Sequence, residues 1–159
     1  PRRAHLYKRR NAGAKAPAAS TAPMSGVLEL ARTQGVEGMA MLTDDMRGAP
    51  RAAVAFLEQI LGTYAGHPEF TVKATRVPDL RINHRRTGRV LMTMNWQVRK
   101  KAFACTALAP PSALVSGGFD GLRPWNGKPH QSAFRIGVGP ADKSRLALAL
   151  TASVALLER

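Results

Sequence analysis

The spacing of apolar residues changes twice along this 159-residue chain, and each change falls at a proline. Up to Tyr64, Val54, Leu57, Leu61 and Tyr64 recur at three- and four-residue steps, with Pro50 at a first-turn position of a helix that Gly62 or Gly66 ends and Pro68 forbids from continuing. After Pro68 the period becomes two: Phe70, Val72 and Ala74 alternate with Thr71, Lys73 and Thr75, the pattern of a half-buried strand. Val90 to Val98 and Ala102 to Leu108 read as two more strands, and Ala133 to Val138 as a fourth. Beyond Gly139-Pro140 the helical period returns, with Leu146, Leu150, Val154 and Leu157 on one stripe, Pro140 at the first position and Asp142 near the positive end. Before all of this, Ser25 to about Arg47 is weakly helical and broken at Gly35 and Gly38.

Helices, then strands, then a helix describe an α+β domain, because strands that follow one another without intervening helices pair antiparallel. The expected architecture is a single antiparallel sheet of about four strands with helices packed on one face. Its other face is expected to carry Thr71, Lys73, Thr75, Met92, Met94 and Trp96. The stretch from Ser116 to about Gln131 holds Gly117, Gly118, Gly121, Pro124, Gly127 and Pro129 and reads as a loop. Residues 25–159 form the domain, and residues 1–24 an extended basic arm, where Pro17 and Pro23 flank an Ala-rich run without apolar period. At 45% apolar residues the chain has enough for a core, and at 6% aromatic that core rests on Ala, Leu and Val. The single cysteine, Cys105, lies in an alternating run and reads as a small buried hydrophobe.

Charge narrows the partner. Lys and Arg number 24 against 10 Asp and Glu, a formal net charge of +14. Such an imbalance opposes compaction unless a polyanion neutralises it. The first 28 residues carry six basic side chains and no acid, and Lys73 to Lys101 carries nine against Asp79 alone. Nucleic acid fits such blocks, since every phosphate they neutralise releases condensed counterions. Arg81, His84, Arg85, Arg86 and Arg89 surround a Thr87-Gly88 turn, and Arg99-Lys100-Lys101 forms a second basic tip at the other end of the same strand. Guanidinium forks at such tips suit phosphate and base stacking. Trp96 between the tips is either a core residue or a stacking platform, and Trp125, among Arg123 and Lys128, either docks on RNA, on a partner protein or on the edge of its own sheet.

Enzymatic readings find no footing. His5, His67, His84 and His130 are scattered without zinc-site spacing, so neither metal nor cofactor is expected. Gly121 to Lys128 departs from a phosphate loop by five residues between its glycines and by Pro129 in the Ser/Thr position. At Gly137-Val138-Gly139, Asp142 stands where a dinucleotide fingerprint needs its third glycine. Asp44-Asp45 is explained as a cap or a solvated pair. With no catalytic residues and no small-molecule substrate expected, the chain reads as a non-enzyme. It contains no run of roughly 18 apolar residues that would imply a membrane partner.

Taken together, the basic Pro/Ala arm, the basic loops at 81–89 and 99–101 and the compact α+β core resemble a ribosomal protein. The Arg- and Ala-rich, acid-free opening makes the resemblance closest in style to the lineage-specific extra subunits of mitochondrial ribosomes; the same opening is also the composition of a targeting region. The resemblance implies a protein of the mitochondrial matrix, bound to rRNA and to neighbouring ribosomal proteins. Its rRNA contacts would come from Arg2, Arg3, Lys8, Arg9, Arg10 and Lys15 in the arm, and from Arg81, Arg85, Arg86, Arg89, Arg99, Lys100 and Lys101 in the domain. Residues 70 to 157, four strands and a helix, are also similar to one half of the Whirly and Pur-type single-strand binders. That second resemblance implies a freestanding RNA or DNA binder in which Trp96 and Trp125 stack on bases.

Overall fold

The computed structural model describes residues 24–77 and 79–159. The expected arm, with Arg2, Arg3, Lys8, Arg9, Arg10 and Lys15, lies outside the described residues apart from Met24. Three helices, α1 (Ser25–Thr33), α2 (Met39–Asp45) and α3 (Arg51–Tyr64), precede strands β1 (Phe70–Ala74), β2 (Leu80–His84), β3 (Val90–Gln97) and β4 (Ala102–Ala107). A short helix α4 (Pro111–Leu114) and a 3₁₀ turn then lead into β5 (Asp120–Trp125) and β6 (Lys128–Ile136), and the long helix α5 (Pro140–Leu157) follows. The α+β class and the single antiparallel sheet stand as expected, but the sheet has six strands in the order β1-β2-β3-β4-β6-β5.

The four expected strands are all present, and the two additional ones have clear physical reasons. β2 contains only two aliphatic residues, Leu80 and Ile82, and is held by pairing on both sides. β5 lies inside the stretch expected to be a loop. It is an edge strand paired only with β6, the one location where Pro124 costs no ladder hydrogen bond. Asn126 and Gly127, at φ 47° and 72°, make the tight turn between them.

Register decides what each face carries. Ala74, Leu80, Met94, Cys105 and Phe134 lie abreast, as do Trp96, Phe103 and Ile136, and all are buried in the helix-side core. Met92, Met94 and Trp96 therefore belong to the packed face, correcting their expected place on the open one. Phe103 is central to it. Its ring stacks on Phe56 of α3 at 5.7 Å and meets Trp96 edge-on at 5.0 Å. A bulge opposite Asn83 leaves Leu91 unpaired with β2 and fully buried. Its carbonyl accepts from Leu108 N at 2.9 Å and from Ser153 Oγ of α5 at 3.4 Å.

Local chemistry sets the element ends. Ser25 begins α1 without a side-chain cap, and Pro50 sits just before α3 at its N-cap, one position earlier than the expected first turn. Gly38 has φ 78°, and a Cβ there would collide with the Ala74 carbonyl oxygen. Only glycine lets the α1–α2 connection approach β1 closely enough for Ala74 N to donate to Glu37 O at 2.9 Å, which covers that end of the edge strand. At α5, Pro140 takes the first position and Asp142 Oδ2 accepts from Gly139 N at 3.0 Å, as the sequence implies.

Cys105 is buried, as expected of its alternating run, and burial together with the nearby Asp142 charge pushes its thiol pKa up. Burial also raises the Tyr64 phenol. Both groups favour their neutral forms in the fold, so their contribution is complete below the unfolded thiol's pKa and is lost as pH rises. Urea midpoints are expected to fall between about pH 7 and pH 9.5, with the decline beginning near about pH 8.5 and shallower in Cys105→Ala.

Candidate nucleic-acid interface

Two surfaces free of helices carry the cations expected of a polyanion site. The first is formed by the hairpin tips. In the β2–β3 turn, Gly88 at φ 71° donates to His84 O, and His84 N donates to Arg89 O at 2.8 Å. His84 Nδ1 lies 2.9 Å from Thr87 Oγ1, which fixes the turn from within. Arg86 and Arg89 are exposed on this rigid tip. Arg85 has a different role: its guanidinium donates to the carbonyls of His67 and Phe70, at 3.1 and 2.8 Å, and ties the turn to the α3–β1 loop. Arg99, Lys100 and Lys101 are exposed in the β3–β4 turn, where Lys101 takes the left-handed φ of 50°. The two tips are separated by the eight residues of β3, roughly 25 Å of strand.

The acids of the chain do not neutralise these tips. Among the described residues, Glu29 pairs with Arg32, Asp44 with Arg47, Asp79 with Arg81, Asp120 with Arg135 and Asp142 with Arg145. Each of these five acids, of the ten in the chain, meets a cation close in sequence or across one strand pair. Arg86, Arg89, Arg99, Lys100 and Lys101 have no ion pair among the described residues.

The second surface is the open face of the sheet. Register places Lys73, Arg81, Thr93, Thr106, Ala133 and Arg123 in one row across all six strands. Cations stand at both ends of that row and small residues in the middle. The adjacent row runs Asn95, Ala104, Arg135 and Asp120. Thr93 and Thr106 share a hydrogen bond at 2.6 Å across β3 and β4. A groove of about 240 Å³ lies over the small residues, lined by Asn95, Gln97, Ala104, Thr106, Arg123 and Trp125 among others. Trp125 is half-buried on the last residue of β5, with Lys128 Nζ 5.1 Å from its ring centroid.

The expected site residues thus separate. Arg86, Arg89, Arg99, Lys100 and Lys101 gather at the two tips. Arg81 is not in the turn but on β2, beside Asp79 and outside the groove lining, and Trp125 is part of a hairpin rather than a loop. Trp96 leaves the candidate site altogether: at 6% exposure, packed on Phe103, it has no free face for a base. Arg123, Asn95 and Gln97 join the site instead. The alternation of Thr93, Asn95 and Gln97 with Met92, Met94 and Trp96 carries the signal for the last two.

No protein-family model, no curated protein and no solved structure matches this chain. Any functional reading accordingly stands on residues and geometry. A core role for Trp96 makes a direct prediction: Trp96→Ala lowers the unfolding free energy by about 3–5 kcal/mol in urea titrations, while RNA affinity under folding conditions stays at the wild-type level.

Proposed function

We propose that this protein is a structural, RNA-bound constituent of a ribosome, mitochondrial by the style of its Arg- and Ala-rich opening. Its cations act as fixed counterions that let phosphate backbones approach, and its apolar core acts as a rigid spacer between them. The observation that carries the reading is the exposed set Arg86, Arg89, Arg99, Lys100 and Lys101, held on two tight turns without a carboxylate partner among the described residues. A solvated surface has no use for that arrangement, because like charges on a rigid turn repel and raise the energy of the fold. Phosphates turn the same repulsion into binding energy through counterion release. The six cations of residues 1–15 add to this charge in sequence. Neighbouring ribosomal proteins are further expected partners, and no catalytic residue, cofactor or metal has a part in the reading.

A freestanding single-strand binder is the second reading. The half-buried Trp125 beside the open sheet face favours it, since an aromatic next to a basic groove is what base stacking needs.

Both readings require phosphate contacts from the tips, and salt dependence measures them. The variant Arg99→Ala/Lys100→Ala/Lys101→Asn keeps a residue that tolerates the left-handed φ at position 101. Titrated with a short structured RNA between about 50 and 200 mM salt, it should show a slope of log affinity against log salt shallower by about 2–3 than wild type. An unchanged slope would remove the β3–β4 tip from the interface.

A further inference from the structure

The groove on the open sheet face is a second contact surface with chemistry of its own. Its floor consists of Ala104, Thr106 and Ala133, small side chains on the adjacent strands β4 and β6. One wall is raised by Asn95 and Gln97 of β3, the other by Arg123 and Trp125 of β5. From β3 to β5 the groove crosses three strand spacings, roughly 14 Å. Charge on this face is predominantly positive. Lys73, Arg81, Arg123 and Arg135 stand against Asp79 and Asp120, and each of these acids is already beside an arginine.

We infer that this groove holds an unpaired nucleotide of an RNA strand, with Trp125 as the stacking wall, Arg123 on the phosphate and the Asn95 and Gln97 amides against the base edge. The inference rests on the RNA-binding reading and makes it more specific, since it sets a preference for single-stranded over duplex RNA. A base has the flat face that an indole stacks on, and its edges carry donors and acceptors that side-chain amides match. A duplex offers neither, because its bases are stacked on each other and its exterior is phosphate. The hairpin tips, roughly 25 Å apart at the two ends of β3, engage the backbone at a distance, and the groove between them engages the bases.

The test uses the full chain, an oligouridine and a blunt RNA duplex of similar length. Wild-type tryptophan fluorescence is expected to be quenched by the oligouridine, since Trp125 stacks while Trp96 remains in the core. Trp125→Ala should abolish the quenching and weaken oligouridine binding by roughly 5- to 150-fold, leaving duplex affinity unchanged. Ala104→Glu, which leaves Trp125 in place and puts bulk and negative charge on the groove floor, should produce the same selective loss with an unaltered circular dichroism spectrum. Folded variants that bind oligouridine like wild type would overturn the groove assignment and leave the tips as the RNA contact. Wild type that binds neither RNA would overturn the assignment and the RNA reading together. A wild-type dimer that Ala104→Glu converts to monomer would overturn it in favour of a second copy of this chain as the occupant.

Discussion

The fold depends on one apolar sheet face being covered, and the covering is centred on Phe103. Its ring lies between Phe56 of α3 and Trp96 of β3, so one residue of β4 joins the helical layer to the neighbouring strand. Strand alternation then leaves little freedom. Once Phe103 and Cys105 turn toward the helices, Ala104 and Thr106 must turn away, and pairing with β3 and β6 carries the same division across the sheet. The helices are all used on one side, with α5 contacting the central strands β3, β4 and β6 and α2 and α3 lying against β1. The polar face stays open because the chain has no further element among the described residues to lay on it.

Charge is arranged around that division. Five of the ten acids are neutralised locally, in pairs such as Asp142 with Arg145 on α5 and Asp120 with Arg135 across β5 and β6. Glu29–Arg32 and Asp44–Arg47 are exposed and add little stability, whereas Asp142–Arg145 is part-buried; all of the pairs remove their acids from competition for the remaining cations. The surplus is concentrated at the turns, where rigid backbone geometry keeps it outward. His84, Thr87 and Gly88 build one turn, and Arg85 binds it to the α3–β1 loop. A cation that serves as a structural pin and cations without an ion pair among the described residues are therefore adjacent in sequence, and composition alone does not distinguish Arg85 from Arg86.

Elements with strong periods were legible from residues alone. The stripe through Leu146 and Leu150 marks α5, Pro140 and Asp142 mark its start, and alternation marks β1, β3 and β4. β2 was obscured because Arg81, Asn83 and His84 interrupt its aliphatic pattern, and its strand character comes from having partners on both sides. β5 was obscured because Gly121 and Pro124 argue for a loop, although the Asn126-Gly127 pair is itself a strong hairpin signal. The site was legible in part. The exposed tips follow from charge and turn residues, whereas the groove depends on register, which brings Arg123 of β5 into the row of Lys73 and Arg81. Trp96 shows the limit of local reading, since its face is set by its neighbours' pairing and not by the cations on either side of it in sequence.

The proposed place of this protein is an RNA-containing particle, bound through cations that have no ion pair among the described residues. Sedimentation of the native protein from lysate, at low and high salt and with and without ribonuclease, tests it most directly. The account predicts co-migration with a large particle that persists at high salt and collapses when the RNA is digested. Migration as a small species at every salt concentration, indifferent to ribonuclease, would contradict it.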